Sequence, residues 1–136
     1  MKQIKYREGY LYQLAETYYD HLPICPGCDI STEYIKLSAA GDFTVHAGYA
    51  WDGPSGPAMD TPTAMRGSLI HDCLYQLIRL GLLGKQWRVK ADMIYEEACI
   101  KDGMWKIRAW GHFKALRAFG WRAADADSEP PTLIAP

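Results

Sequence analysis

Two short stretches of this sequence hold side chains that can move a proton. His71-Asp72-Cys73-Leu74-Tyr75 and Ala91-Asp92-Met93-Ile94-Tyr95 each set polar groups inside an otherwise apolar run. On a helix His71 and Tyr75 are i, i+4 neighbours, and Asp72 follows on the same polar arc. Asp92, Tyr95, Glu96 and Cys99 share one face of the second stretch. If the two stretches form antiparallel helices, Asp92 lies opposite His71. A carboxylate on one imidazole nitrogen fixes the tautomer and stabilises the imidazolium, and the other nitrogen is left as a general base toward water. Tyr75 can donate its hydroxyl to the same carboxylate. Asp72 points beside the histidine, placed to bind a hard cation with oxygen donors from the loop upstream. The plainer reading is a hydrogen-bonded pair that closes two helices without any reaction.

The elements that must position these groups follow from pattern changes along the chain. From Pro62 the period is helical, with Leu69, Ile70, Cys73, Leu74, Leu77, Ile78 and Leu80 on one arc and His71, Asp72, Tyr75, Gln76 and Arg79 on the other. Thr61 suits the N-cap and Pro62 the first helical position. Gly81 and Gly84 bracket the helix end, and a second helix begins near Lys85 to Trp87 and runs to about Asp102-Gly103. So short a connection makes an antiparallel hairpin the default packing. A third helix spans Met104 to about Phe119. Upstream, residues 10–21 read as one strand and 33–46 as a β-hairpin turning at Ala39-Ala40-Gly41-Asp42. Residues 48–63, rich in Gly and Pro, read as a long fixed loop. Strands followed by helices indicate an α+β fold: a small N-terminal antiparallel sheet, the Gly/Pro loop, and a three-helix C-terminal part.

The chain has 136 residues, the size of one domain, taken as residues 1–122 with a poorly ordered tail over 123–136. At 49% hydrophobic and 23% charged, its composition excludes a disordered or low-complexity chain. A net charge of -1 gives no overall footprint for nucleic acid, and none is expected. The N-terminus lacks the apolar core of a signal peptide, and the longest apolar stretch is interrupted by His71, Asp72 and Arg79, so no transmembrane segment is expected. Cys25-Pro26-Gly27-Cys28 has the spacing of half a zinc site or a redox pair. Its second half is missing, with only His21 and His46 as candidates, and a tight turn with incidental thiols is the simpler account. Cys73 and Cys99 read as small fillers of the helix pair. The third helix interleaves Trp105, Trp110, Phe113, Phe119 and Trp121 with Lys106, Arg108, Lys114, Arg117 and Arg122. That mixture suits a membrane interface or phosphates, but core aromatics with snorkelling basic stems are the simpler expectation.

WDGPSGP, then LIHDCLY, then KADMIYEEACIKDGM resembles a phage and prophage family of unknown function. Its members carry an aspartate-x-x-Ser-x-Pro loop, an HDxLY helix and an ADxxF helix in that order. Asp52, Ser55, Pro57, His71, Asp72, Leu74, Tyr75, Ala91 and Asp92 fall on that pattern, with Tyr95 in place of its Phe, and the likeness covers roughly residues 31–120. More narrowly, HDxxY with an upstream loop and an Asp on the next helix is similar to secreted phospholipase A2. The short bacterial enzymes of that class also place the orienting Asp about twenty residues after the His; here the separation is 21. This chain lacks their paired cysteines around the HD motif and their Gly-rich calcium sequence.

The resemblance implies a phage-associated hydrolase of lipid or other esters, with His71 activating water, Asp92 orienting it and Tyr75 assisting. It implies calcium at Asp72 with Asp52 and a carbonyl near Gly53, zinc being the lesser candidate. The expected location is the host cytoplasm or the virion. The alternative is a virion or host-interaction protein in which the HD and AD residues lock the helices.

Overall fold

The computed structural model describes residues 4, 6–7, 12–51, 62–122 and 124. These fall into two compact units, residues 4–51 and residues 62–124. The first is built of antiparallel strands and the second of helices, the expected α+β arrangement.

Seven strands lie among the described residues: β1 (Tyr6–Arg7), β2 (Tyr12–Leu14), β3 (Tyr18–His21), β4 (Ile30–Ser31), β5 (Ile35–Leu37), β6 (Asp42–Val45) and β7 (Ala50–Trp51). They form a three-stranded sheet in the order β1-β2-β7 and a four-stranded sheet in the order β3-β6-β5-β4. The β5–β6 hairpin follows from its alternation. Ile35 pairs with Val45 and Leu37 with Phe43, all four buried, while Lys36 points outward. A ring ladder of Tyr12, Trp51 and Tyr49 supports the smaller sheet, with centroids 5.8 and 6.5 Å apart.

Two expectations change here. The single strand expected over residues 10–21 is two strands in different sheets, because the chain bends at Ala15–Glu16 and the Thr17 hydroxyl accepts the Ala47 amide at 3.1 Å instead of continuing a ladder. The loop expected from residue 48 begins later, since Ala50–Trp51 pairs with Tyr12–Gln13 at a sheet edge. Its remainder, with Asp52, Gly53, Ser55, Pro57 and Thr61, lies outside the described residues, as does the tail apart from Ala124.

The helical unit contains α1 (Pro62–Arg79), α2 (Arg88–Lys101) and α3 (Lys106–Phe119), with a short 3-10 turn at Lys85–Trp87 before α2. Helix α1 starts at Pro62, whose missing N–H costs nothing at a first position. Gly81 takes a φ of 75° just past its end, where the Leu82 and Leu83 amides return to the Leu77 carbonyl at 3.0 and 3.1 Å. Contacts run from Arg66 to Asp102, from Gly67 to Cys99 and from Tyr75 to Asp92, so α1 and α2 are antiparallel. Ala64, Tyr95, Cys99, Met104 and Ala109 form a core shared by the three helices, with Ile100 and Leu116 against it. Gly67 permits the close crossing: a Cβ there would stand 3.2 Å from Cys99 Sγ and from the Tyr95 carbonyl. No helix among the described residues is long and apolar enough to cross a membrane.

The tip of the β5–β6 hairpin makes one sharp demand. Gly41 has a φ of 101°, and a Cβ there would collide with the Leu22 carbonyl and come within 2.9 Å of the Ile24 carbonyl. Its own carbonyl accepts the Leu22 amide at 2.8 Å. Gly41→Ala therefore combines left-handed strain with a backbone clash, and a loss of about 2 kcal/mol or more is expected in the unfolding free energy from urea titration.

Candidate active site

Asp92, one turn into α2, has no solvent contact at all. Burial of a carboxylate raises its pKa and is costly unless donors surround it. Three do. His71 Nε2 lies 2.7 Å and the Tyr75 hydroxyl 2.6 Å from Oδ1, both from α1, and Arg117 Nη1 of α3 lies 2.8 Å from Oδ2. Burial alone would push the Asp92 carboxyl up; the bonds from His71, Tyr75 and Arg117 overturn this and hold it below the usual carboxylate value.

An ionised carboxylate only accepts, so His71 Nε2 carries the hydrogen and the lone pair of the neutral ring sits on Nδ1. Nδ1 has no hydrogen-bond partner among the described residues. The residue as a whole is buried, at 7% exposure. The ring is also braced by neighbours: Tyr75 lies 4.0 Å away by centroid, and Tyr95 meets it edge-on at 5.6 Å.

Around this centre lies a second set of bonds. Arg88, the first residue of α2, donates through Nε to the Tyr75 hydroxyl at 3.1 Å and through Nη2 to the Leu116 and Arg117 carbonyls at 2.8 and 3.1 Å. It thereby caps the last turn of α3, where carbonyls lack partners and the helix dipole favours a cation. Burial, with the Asp92 bond, pushes the Tyr75 hydroxyl well above the ordinary tyrosine value, so it stays a donor. Gly120 packs where nothing larger fits, since a Cβ would lie 2.7 Å from the Tyr75 hydroxyl.

A separate polar pair, the Tyr95 hydroxyl and His112 Nδ1 at 2.8 Å, ties α2 to α3. Burial, reinforced by Arg108, lowers the His112 pKa and keeps the ring neutral. Arg66 and Asp102 form a bidentate buried bridge at the far end of α1, with Nε 2.9 Å from Oδ2.

The structure thus joins His71, Asp92 and Tyr75. Of the polar arc of α1, His71 and Tyr75 are turned into the helix pair, where Asp92 accepts from both, while Asp72, Gln76 and Arg79 stay partly exposed. Asp72 is half-buried and engaged in contacts of its own. Asp52 and Gly53, its expected partners in a cation site, lie outside the described residues, and among the described residues no group of three ligand-type side chains could hold a metal ion. His21, a candidate for the second half of a zinc site, instead meets Asp42 at 3.0 Å, while Cys25 and Cys28 are exposed free thiols. Cys73 and Cys99 are buried fillers as expected, and burial pushes the Cys99 thiol up to about 11.

One expectation is overturned for four of its five aromatics. Trp105, Trp110, Phe119 and Trp121 are exposed and only Phe113 is half-buried, while the buried face of α3 is Ala109 and His112 with half-buried Leu116. That inward face of small and polar side chains is what α2 leaves room for. The roles of Arg117 and Arg88 had no local signal, since Arg117 acts across 25 residues and Arg88 across 13 to 29. No family model, curated protein or solved structure matches the chain.

Because Asp92 is ionised and buried, its bonds stabilise the fold at neutral pH, and this contribution disappears as pH falls through its lowered pKa. Unfolding midpoints should therefore decline below about pH 4 in the wild type. Asp92→Asn should cost about 3 kcal/mol at pH 7, the Arg117 charge having lost its partner, and should flatten the acid limb.

Proposed function

We propose that this protein is a phage-associated hydrolase in which His71 activates water for attack on an ester, a lipid ester being the preferred substrate. One observation carries the reading: His71 Nε2 lies 2.7 Å from the buried Asp92 carboxylate, which makes it the donor and leaves Nδ1 as the base. In the reaction Nδ1 takes a proton from water as its oxygen adds to the ester carbonyl, and the imidazolium returns that proton to the leaving alkoxide. Asp92 holds the tautomer and offsets the imidazolium charge; Tyr75 and Arg117 hold Asp92. The likeness of the HDxLY and ADxxF stretches to a phage family, and of HDxxY to phospholipase A2, supports the same assignment and a location in the host cytoplasm or the virion.

Calcium belongs to the proposal only through Asp72. One carboxylate falls short of the six to eight oxygens calcium takes, and Asp52 with the Gly53 carbonyl would have to supply more. No step is routed through the ion. Where the site forms, millimolar calcium raises the melting temperature of the wild type and not of Asp72→Asn; no shift in either protein removes the metal from the proposal.

A second reading is favoured by the complete burial of Asp92 and its bond to Arg117: a lock that joins three helices in a virion or host-interaction protein. The two separate at His71. In His71→Gln the amide can still donate to Asp92, so stability should change little while turnover of a phospholipid or simpler ester falls on the order of a hundredfold or more. A wild type that hydrolyses neither leaves the lock, and His71→Ala, which removes that donor altogether, should then be about 1–3 kcal/mol less stable.

A further inference from the structure

We propose that the outward face of α3 docks on an anionic lipid surface. The segment from Met104 to Arg122 holds Lys106, Arg108, Lys114, Arg117 and Arg122 and no acidic residue, in a chain whose net charge is -1. With Ala109, His112 and Leu116 turned inward, the opposite side of the helix carries Ile107 and Trp110 flanked by Lys106 and Lys114. Trp105 just before the helix is 80% exposed, Ile107 77% and Trp110 56%. Lys114 Nζ sits 5.7 Å from the Trp110 ring centre, holding a cation beside the indole.

Large apolar groups such as Ile107 and Trp110, left in water side by side, are unfavourable unless something covers them. The charge on this face selects the cover. A second copy meeting it across a two-fold axis would set Lys106 and Lys114 against their own images. Nucleic acid satisfies the cations and can stack on indoles, but gives an aliphatic Ile107 nothing to enter. A bilayer surface satisfies all three: hydrocarbon for Ile107, the headgroup boundary for tryptophan, and phosphate for lysine. The inference stands on α3 alone and holds whether or not His71 is a base.

The test is flotation of the full-length protein with vesicles of ether-linked phosphatidylcholine, alone or with ether-linked phosphatidylglycerol, lipids that lack the ester. Binding is expected to the anionic vesicles only, with a blue shift of tryptophan emission. The double variant Ile107→Ser/Trp110→Ser should bind roughly tenfold or more weakly, and Lys106→Ser/Lys114→Ser about tenfold or more weakly. Both pairs are exposed, and an unchanged melting temperature verifies that the fold is retained. Wild-type protein that ignores anionic vesicles overturns the proposal, as does binding that neither double variant weakens. Wild type that fails to float but self-associates in sedimentation, or captures a single-stranded oligonucleotide, overturns it in favour of that occupant.

Discussion

A carboxylate cut off from water must be surrounded by donors or it will not stay ionised, and in this protein the donors come from two helices packed against the one that carries it. Asp92 sits on α2, His71 and Tyr75 on α1, and Arg117 on α3. Each bond falls between 2.6 and 2.8 Å, so none of the helices can slide without stranding a buried charge. The apolar contacts of Ala64, Tyr95, Cys99 and Met104 provide burial, yet apolar contact tolerates small shifts that this set of bonds does not. Gly67 and Gly120 serve the same constraint from the steric side, one by letting α1 approach α2 and the other by leaving space for the Tyr75 hydroxyl.

The same bonds pull in two directions for chemistry. Orientation gains: an imidazole fixed through Nε2 and braced by two tyrosine rings presents Nδ1 in one direction, which is what proton abstraction from a placed water needs. Electrostatics loses something, because Arg117 already offsets the charge on Asp92. Protonating His71 would leave Arg117 and imidazolium sharing one carboxylate. In the proposed hydrolysis the proton taken from water would therefore have to be balanced by the oxyanion forming beside the ring.

How much of this is legible in the sequence depends on the range of the interaction. The helix pair is legible, since Gly81, the apolar arc of α1 and the spacing of His71, Tyr75 and Asp92 are local signals that agree. The hairpin turning before Asp42 is legible for the same reason. Two-residue strands such as Ile30–Ser31 and Ala50–Trp51 are not, because pairing with a distant strand defines them and no period can be read from two residues. Arg88 and Arg117 look like any surface cations until the end of α3 is laid against α1 and α2. Helix α3 misleads more deeply. Aromatic residues suggest a buried face, whereas what α3 sets beside Tyr95 and Cys99 is Ala109, His112 and the partly buried Leu116.

That inversion changes what holds α3 in place. A helix with its largest side chains outward gains little from apolar burial, and its attachment depends on directed bonds: Tyr95 to His112 near the middle, Arg88 to the last carbonyls, and Arg117 to Asp92. Two of these three converge on the groups that hold His71. Arg88 reaches both the end of α3 and the Tyr75 hydroxyl, so a shift of that end by even an ångström changes the donor set of Asp92 at two points at once. The position of α3 and the charge felt by the His71 ring are thus a single variable, set through Arg117 and Tyr75 rather than through the core.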